Sequence, residues 1–149
     1  MTEIDAVDRK ILDHLLDNGR DSYREIAKKM KLSPATVMKR VRTLESTGVI
    51  KNYYARIDYD KLGYDIHIIV DVRVAKGKLH MVEKKIAKHK SVSAVYDNTG
   101  PFDATVIAQF RTRIAMDQFL KHLQTFDFVE RTETKLILST IKEKNIKIG

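Results

Sequence analysis

Apolar residues at Ile4, Val7, Ile11, Leu12, Leu15 and Leu16 recur at the spacing of one helical face, and Asn18-Gly19 supplies a stop. The pattern predicts a first helix there. A second helix starts at Ser22, because Ser22-Tyr23-Arg24-Glu25 has capping-box order: hydroxyl and carboxylate satisfy free N–H groups reciprocally. Ile26, Ala27 and Met30 give it a short buried stripe. Ser33-Pro34 then opens a third helix, since serine is a good N-cap and proline at the first position sacrifices no hydrogen bond. This helix runs to about Ser46-Thr47, with Gly48 as a left-handed C-terminal cap. Three short helices, the last two joined by a tight turn, form the framework of a helix-turn-helix.

After Gly48 the texture changes. Val49-Ile50 and Tyr53-Tyr54-Ala55-Arg56-Ile57 read as extended, and residues 58–63 as a connector. Residues 66–74 are apolar nearly throughout and predict a strand, ended by Lys76-Gly77-Lys78. A helix over 79–89 follows, with Val82 and Ile86 inward. Strands over 92–96 and 104–110 flank a loop at 97–103. A helix over 114–126 buries Phe119, Leu120 and Leu123, and residues 129–141 alternate as a strand with one wet face. The order β-α-β-β-α-β is the ferredoxin-like split arrangement. The expected fold is α+β: a (winged) helix-turn-helix domain over 1–50, a hinge strand and connector over 51–62, and a ferredoxin-like domain over 63–149.

Composition narrows the class without naming a function. A chain of 149 residues, 43% hydrophobic and 32% charged, suits a soluble globular protein of one or two small domains. No apolar run approaches the roughly 20 residues of a membrane span. The acidic start Met1-Thr2-Glu3-Ile4-Asp5 lacks the basic-then-apolar order of a secretory signal, so a cytoplasmic location is expected. With no cysteine, disulfides, zinc ribbons and thiol catalysis are excluded. The net charge of +8 points towards polyanions, and its placement says more. Residues 1–19 hold five acids against two bases, whereas residues 20–42 hold eight bases against two acids. Two solvated helix faces would give the same count; the helix-turn-helix order is what favours nucleic acid.

Helical geometry then selects the outward residues of the third helix. At about 100° per residue, Val37, Val41 and Leu44 share one narrow arc and face the core. Ala35, Lys39, Arg42 and Ser46 lie opposite, flanked by Thr36, Met38 and Thr43. Small residues at the N-terminal end allow close approach to base edges. Thr36 offers a hydroxyl, Met38 an apolar surface and Lys39 a donor for guanine. Arg40 and Arg42 are expected on phosphates, together with Ser22, Tyr23 and Arg24 at the start of the second helix and Ser33 at the cap of the third.

These pieces together resemble the Lrp/AsnC (feast/famine) family of bacterial and archaeal regulators. The matching text is Ile4-Asp5, Asp8-Arg9-Lys10-Ile11-Leu12, Glu25-Ile26-Ala27, Leu32-Ser33-Pro34-Ala35-Thr36-Val37, Arg40-Val41, Leu44-Glu45 and Gly48-Val49-Ile50. Ile57-Asp58, Leu62-Gly63-Tyr64 and Thr99-Gly100-Pro101-Phe102-Asp103 continue it, so the resemblance spans essentially the whole chain. It implies a DNA-binding transcriptional regulator whose α/β domain pairs into dimers, assembles further into octamers and binds a small effector, usually an amino acid. Carried over, the effector residues are Asp97, Thr99, Gly100, Phe102 and Asp103. Thr132 and Thr134 join them as hydroxyls on the strand expected alongside. Pro101 departs from the family, which often has a polar residue there. Read without the family, Gly100-Pro101 is a turn and Asp103 its carboxylate.

Two other classes fit parts of the sequence. Siroheme decarboxylases share the helix-turn-helix plus α/β plan. However, His14, His67, His80, His89 and His122 form no i, i+4 pair, and Lys51-Asn52-Tyr53-Tyr54 stands where those enzymes carry an arginine-phenylalanine-glycine run. No catalytic constellation or metal ligand set is expected. An architectural DNA binder without an effector would share the third helix. Self-association is expected in either case, because the strand 66–74 and the segment 51–57 need more cover than one small domain supplies.

Overall fold

The computed structural model describes residues 3–149, which divide into two compact units. One takes the chain up to Arg56 together with Lys142–Gly149; the other is Ile57–Ile141.

The first unit contains α1 (Ala6–Asp17), α2 (Tyr23–Met30) and α3 (Pro34–Ser46). A side chain fixes each start. Asp5 accepts from the Val7 and Asp8 amides at 2.8 Å each, and Asp8 accepts from the Asp5 amide at 3.2 Å. Ser22 and Glu25 form the expected box: the Ser22 amide donates to Glu25 at 2.6 Å and the Glu25 amide to Ser22 Oγ at 3.3 Å. Ser33 Oγ accepts from the Thr36 amide at 3.1 Å, with Pro34 in the first turn. α3 stops where Gly48 takes φ +74°, which lets the Ile50 amide reach the Leu44 carbonyl at 2.9 Å. Ile11, Ile26, Ala27, Val37, Val41 and Leu44 are buried together, so the stripes read from periodicity meet in this unit's core.

Two features of this unit lie outside the local pattern. The C-terminal tail docks on α1: the Ile148 amide donates to Asp13 at 2.7 Å and Lys147 pairs with Asp17 at 2.6 Å. The segment expected as a hinge strand has no ladder partner among the described residues, and Tyr53, Tyr54 and Ile57 are exposed. A strand needs a neighbour's N–H and C=O groups, and among the described residues none is paired with this segment. Tyr53 is held instead by its hydroxyl, which donates to Glu45 at 2.9 Å; partial desolvation of that hydroxyl, then the carboxylate, push its pKa up to about 12.

The second unit runs β1 (Ile66–Val74), α4 (Leu79–Ile86), β2 (Val92–Asp97), β3 (Ala104–Phe110), α5 (Arg113–Gln124) and β4 (Val129–Leu136). Its antiparallel sheet has the order β2-β3-β1-β4, the ferredoxin-like arrangement. Alternate residues of β1 and β3, from Ile68 to Val74 and from Ala104 to Phe110, are buried against Val82 and Ile86 of α4 and Phe119 and Leu123 of α5. The opposite face carries a polar chain: Lys135 donates to Asp71 at 2.5 Å and Thr105 to the same carboxylate at 2.6 Å. β4 stops at Leu136, short of the expected Ile141, because it pairs with β1 and its Leu136 already lies opposite Ile68, near that strand's beginning. Leu138 and Ile141 are exposed in consequence.

Candidate nucleic-acid interface and effector loop

Packing of Val37, Val41 and Leu44 turns the other side of α3 outward, and Ala35, Met38, Lys39, Arg42, Thr43 and Ser46 line one shallow depression on it. Several hydroxyls are turned onto their own helix. Thr36 Oγ1 lies 2.7 Å from Ser33 Oγ, Thr43 donates to the Lys39 carbonyl at 3.0 Å, and Ser46 donates to the Thr43 carbonyl at 3.1 Å. Lys39 and Arg42 are exposed, and among the described residues neither has an ion-pair partner. Ser22 Oγ is engaged in capping α2, while Tyr23 and Arg24 stand exposed in its first turn. An exposed helix with unpaired cations, small residues and one half-buried methionine can present donors and apolar surface to a groove.

Arg40 is set apart from that face. Its guanidinium donates to Asp5 at 2.7 Å and Asp8 at 2.8 Å, tying α3 to the start of α1. Those two carboxylates raise Arg40 above the usual guanidinium value; the Asp8 amide, then Arg40, holds Asp5 below the usual carboxylate value. The acids of α1 are therefore matched within their own unit. Asp21 is likewise held low by Lys29 and His14, at 2.7 and 2.6 Å.

In the second unit the loop after β2 closes on itself. The Asn98 amide donates to the Asp103 carbonyl at 2.8 Å, and the Asp103 amide to the Val72 carbonyl at 2.9 Å. Asp103's carboxylate accepts from the Val74 amide at 2.8 Å, so this expected effector ligand also continues the β1–β3 contact past its last pair, Val72 with Ala104. Gly100 takes φ +113°, a conformation that excludes ordinary side chains without strain. Asp97 and Thr99 are exposed. Thr132 lies opposite Val72 and Thr134 opposite Val70, on the helix-covered face; Thr132 is half-buried and Thr134 exposed.

The loop also meets residues that sequence reasoning passed over. The Arg131 guanidinium sits 5.7 Å from the Phe102 ring centre, adjacent in sequence to Thr132. Glu83 on α4 has one buried carboxylate oxygen without a hydrogen-bond partner, and burial, then nearby Asp97, pushes its pKa up. Neither had a motif to announce it. Among the described residues no group of histidines and acids is placed to hold a metal. His14 and His67 face Asp21 and Asp60, and His89 and His122 lie against Phe119 and Phe126.

Comparison with known proteins places both regions. Residues 4–51 match a winged helix-turn-helix DNA-binding model, and residues 67–146 match the Lrp/AsnC ligand binding domain. The chain belongs to the Lrp/AsnC family. An uncharacterized HTH-type transcriptional regulator of Pyrococcus horikoshii is 43% identical over 141 residues, covering 95% of each chain. The HTH-type transcriptional regulator FL11 of the same organism is 34% identical over 140 residues, 94% of this chain and 93% of that one. Among solved structures, Escherichia coli AsnC superposes with a TM-score of 0.91 at 28% identity, covering 98% and 99% of the two chains. Bacillus subtilis LrpC gives 0.87 at 30%, covering 96% and 100%. A Neisseria meningitidis regulator solved in complex with L-Met shares the fold at 0.90 and 24% identity, covering 99% and 97%.

As a member of the Lrp/AsnC family, this chain is a DNA-binding transcriptional regulator with a ligand-binding domain. The face of α3 lies inside the first match, and the loop, Thr132 and Thr134 lie inside the second. No described helix is long and apolar enough to cross a membrane.

Proposed function

We propose that the chain reads double-stranded DNA with the outer face of α3 and that a small effector, an amino acid, modulates its assembly or DNA binding. The observation that carries the first part is the contrast along α3: Arg40 is engaged by Asp5 and Asp8, while Lys39 and Arg42, beside Ala35 and Met38, have no ion-pair partner among the described residues. Base edges would meet Ala35, Thr36, Met38 and Lys39; phosphates would meet Arg42, Thr43, Ser33 and the start of α2 at Ser22, Tyr23 and Arg24. Arg40 holds the helix in position.

The effector reading rests on the loop. Asp97, Thr99, Gly100, Phe102, Thr132 and Thr134 would contribute to an amino-acid site, with hydroxyls and loop amides as partners for its carboxylate and ammonium groups. The neighbour bound to L-Met supports this choice of ligand class. A dimer would cover the exposed Tyr53, Tyr54 and Ile57 and could grow into octamers. It would present two α3 helices to half-sites one or more helical turns apart. Engagement of Asp103 by the Val74 amide favours a second reading, an architectural binder without effector.

Selection of bound genomic DNA, with and without an amino-acid mixture, tests both parts. A recurrent pseudo-palindrome whose recovery changes with the mixture is expected. A palindrome indifferent to every amino acid would favour the architectural reading, and absence of enriched DNA would overturn the α3 assignment.

A further inference from the structure

Charge in the second unit is sharply segregated. The stretch 76–90, built around α4, holds six lysines against one glutamate, while the rest of Ile57–Ile141 holds seven bases against ten acids. Lys76, Lys78, Lys84, Lys85, Lys88 and Lys90 are all exposed, and among the described residues none forms an ion pair. Two of them lie over rings instead: Lys78 over Phe128 at 4.9 Å and Lys85 over Phe126 at 4.1 Å. Glu83 is the one acid within the stretch, and one of its oxygens is turned inside.

Helix electrostatics explains only half of this arrangement. Lys84 and Lys85 fall in the last turn of α4, where the macrodipole favours cations. Lys76 and Lys78 stand at its beginning, where the dipole disfavours them, and Lys78 is the N-cap without a side-chain capping bond. Lys85 and Lys88 also join His89 and His122 around a depression between α4 and α5 that is lined by no carboxylate. Cations without acid partners among the described residues, at both ends of one short helix, fit an external polyanion.

We propose that the segment from Lys76 to Lys90 is a second binding surface for the phosphate backbone of double-stranded DNA, additional to α3. The proposal rests on the reading of this chain as a DNA binder. It concerns backbone, not bases: the segment presents flexible lysines over a rounded helix, suited to point-charge interactions without sequence preference.

The test is binding of the full chain to a random-sequence duplex of about 150 base pairs across a salt series. The variants are K84Q/K85Q/K88Q/K90Q and its charge-keeping counterpart K84R/K85R/K88R/K90R. Glutamine and arginine keep helix propensity, and circular dichroism checks the fold. The glutamine variant should flatten the slope of log K against log salt by about 0.9 for each phosphate it no longer neutralises, roughly two to three units for three phosphates. The arginine variant should keep the wild-type slope. Equal slopes for all three proteins would overturn the proposal. Arg42→Ala is the control for α3: if it and the glutamine variant each weaken binding independently, both surfaces stand. If wild type does not bind the duplex at all, the α3 reading falls with this one.

Discussion

Arg40 and the six lysines around α4 show two ways of carrying positive charge. In the helical unit a few bases meet acids across elements: Arg40 with Asp5 and Asp8, Lys29 and His14 with Asp21, Lys147 with Asp17. In the α/β unit, the lysines of the stretch 76–90 have no such partners among the described residues. Exposed ion pairs contribute little to stability each, so pairing here does a different job: it fixes which cations belong to the scaffold. On α3, Lys39 and Arg42 have no ion-pair partner among the described residues, like the α4 lysines. A total of +8 says less than this sorting.

Substitutions on either side of the divide should separate the two roles. Arg42→Ala should cost DNA binding about 1–3 kcal/mol if it meets a base, or mainly flatten the salt slope if it meets a phosphate, with the melting temperature unchanged. Equilibrium binding paired with thermal melts would check it. Asp103→Ala removes an engaged group and leaves the Val74 amide without its acceptor, which should destabilise the second unit by about 1–2 kcal/mol. Arg40→Ala should lower stability by only about 0.5–1 kcal/mol, because the pair is partly solvated. Any weakening of DNA binding should then track that loss of fold. Were Arg40→Ala to weaken DNA binding without altering the melt, the division drawn along α3 would be wrong.

Acid gives the smallest and broadest effect. Asp5, Asp21 and Asp71 are held below their ordinary value of 3.8 by hydrogen bonds and cationic neighbours. Depressed folded-state values stabilise above the unfolded value and lose that contribution as pH falls through the folded one. Melting temperature should therefore be level near neutrality and decline below about pH 4, with added salt weakening the dependence. A melt that rises on acidification through this range would contradict the pairing.

Much of this was legible in the sequence where local chemistry decides. Ser22-Tyr23-Arg24-Glu25 and Ser33-Pro34 encode their caps within four residues, and the arc of Val37, Val41 and Leu44 follows from helical period alone. What escaped depends on partners distant in the chain. Arg40 reaches acids 32 and 35 positions away, and the tail reaches Asp13 from 135 positions away, so no window of sequence contains both partners. The alternation through Ile141 likewise promised a longer strand, but β4 ends where its neighbour does. For the loop after β2, sequence placed Asp103 in the turn; its bond to the Val74 amide depends on a strand 29 residues upstream.

The most direct measurement of the central claim is DNA binding by Ala35→Glu. Ala35 is exposed in the first turn of α3, where glutamate is a good helix former and the dipole favours its charge. Folding should be unaffected, while the carboxylate would face the groove and the phosphates. A melt like that of wild type together with roughly 100-fold weaker binding to the selected DNA is the predicted result; wild-type affinity in the folded variant would show that α3 does not read DNA in this protein.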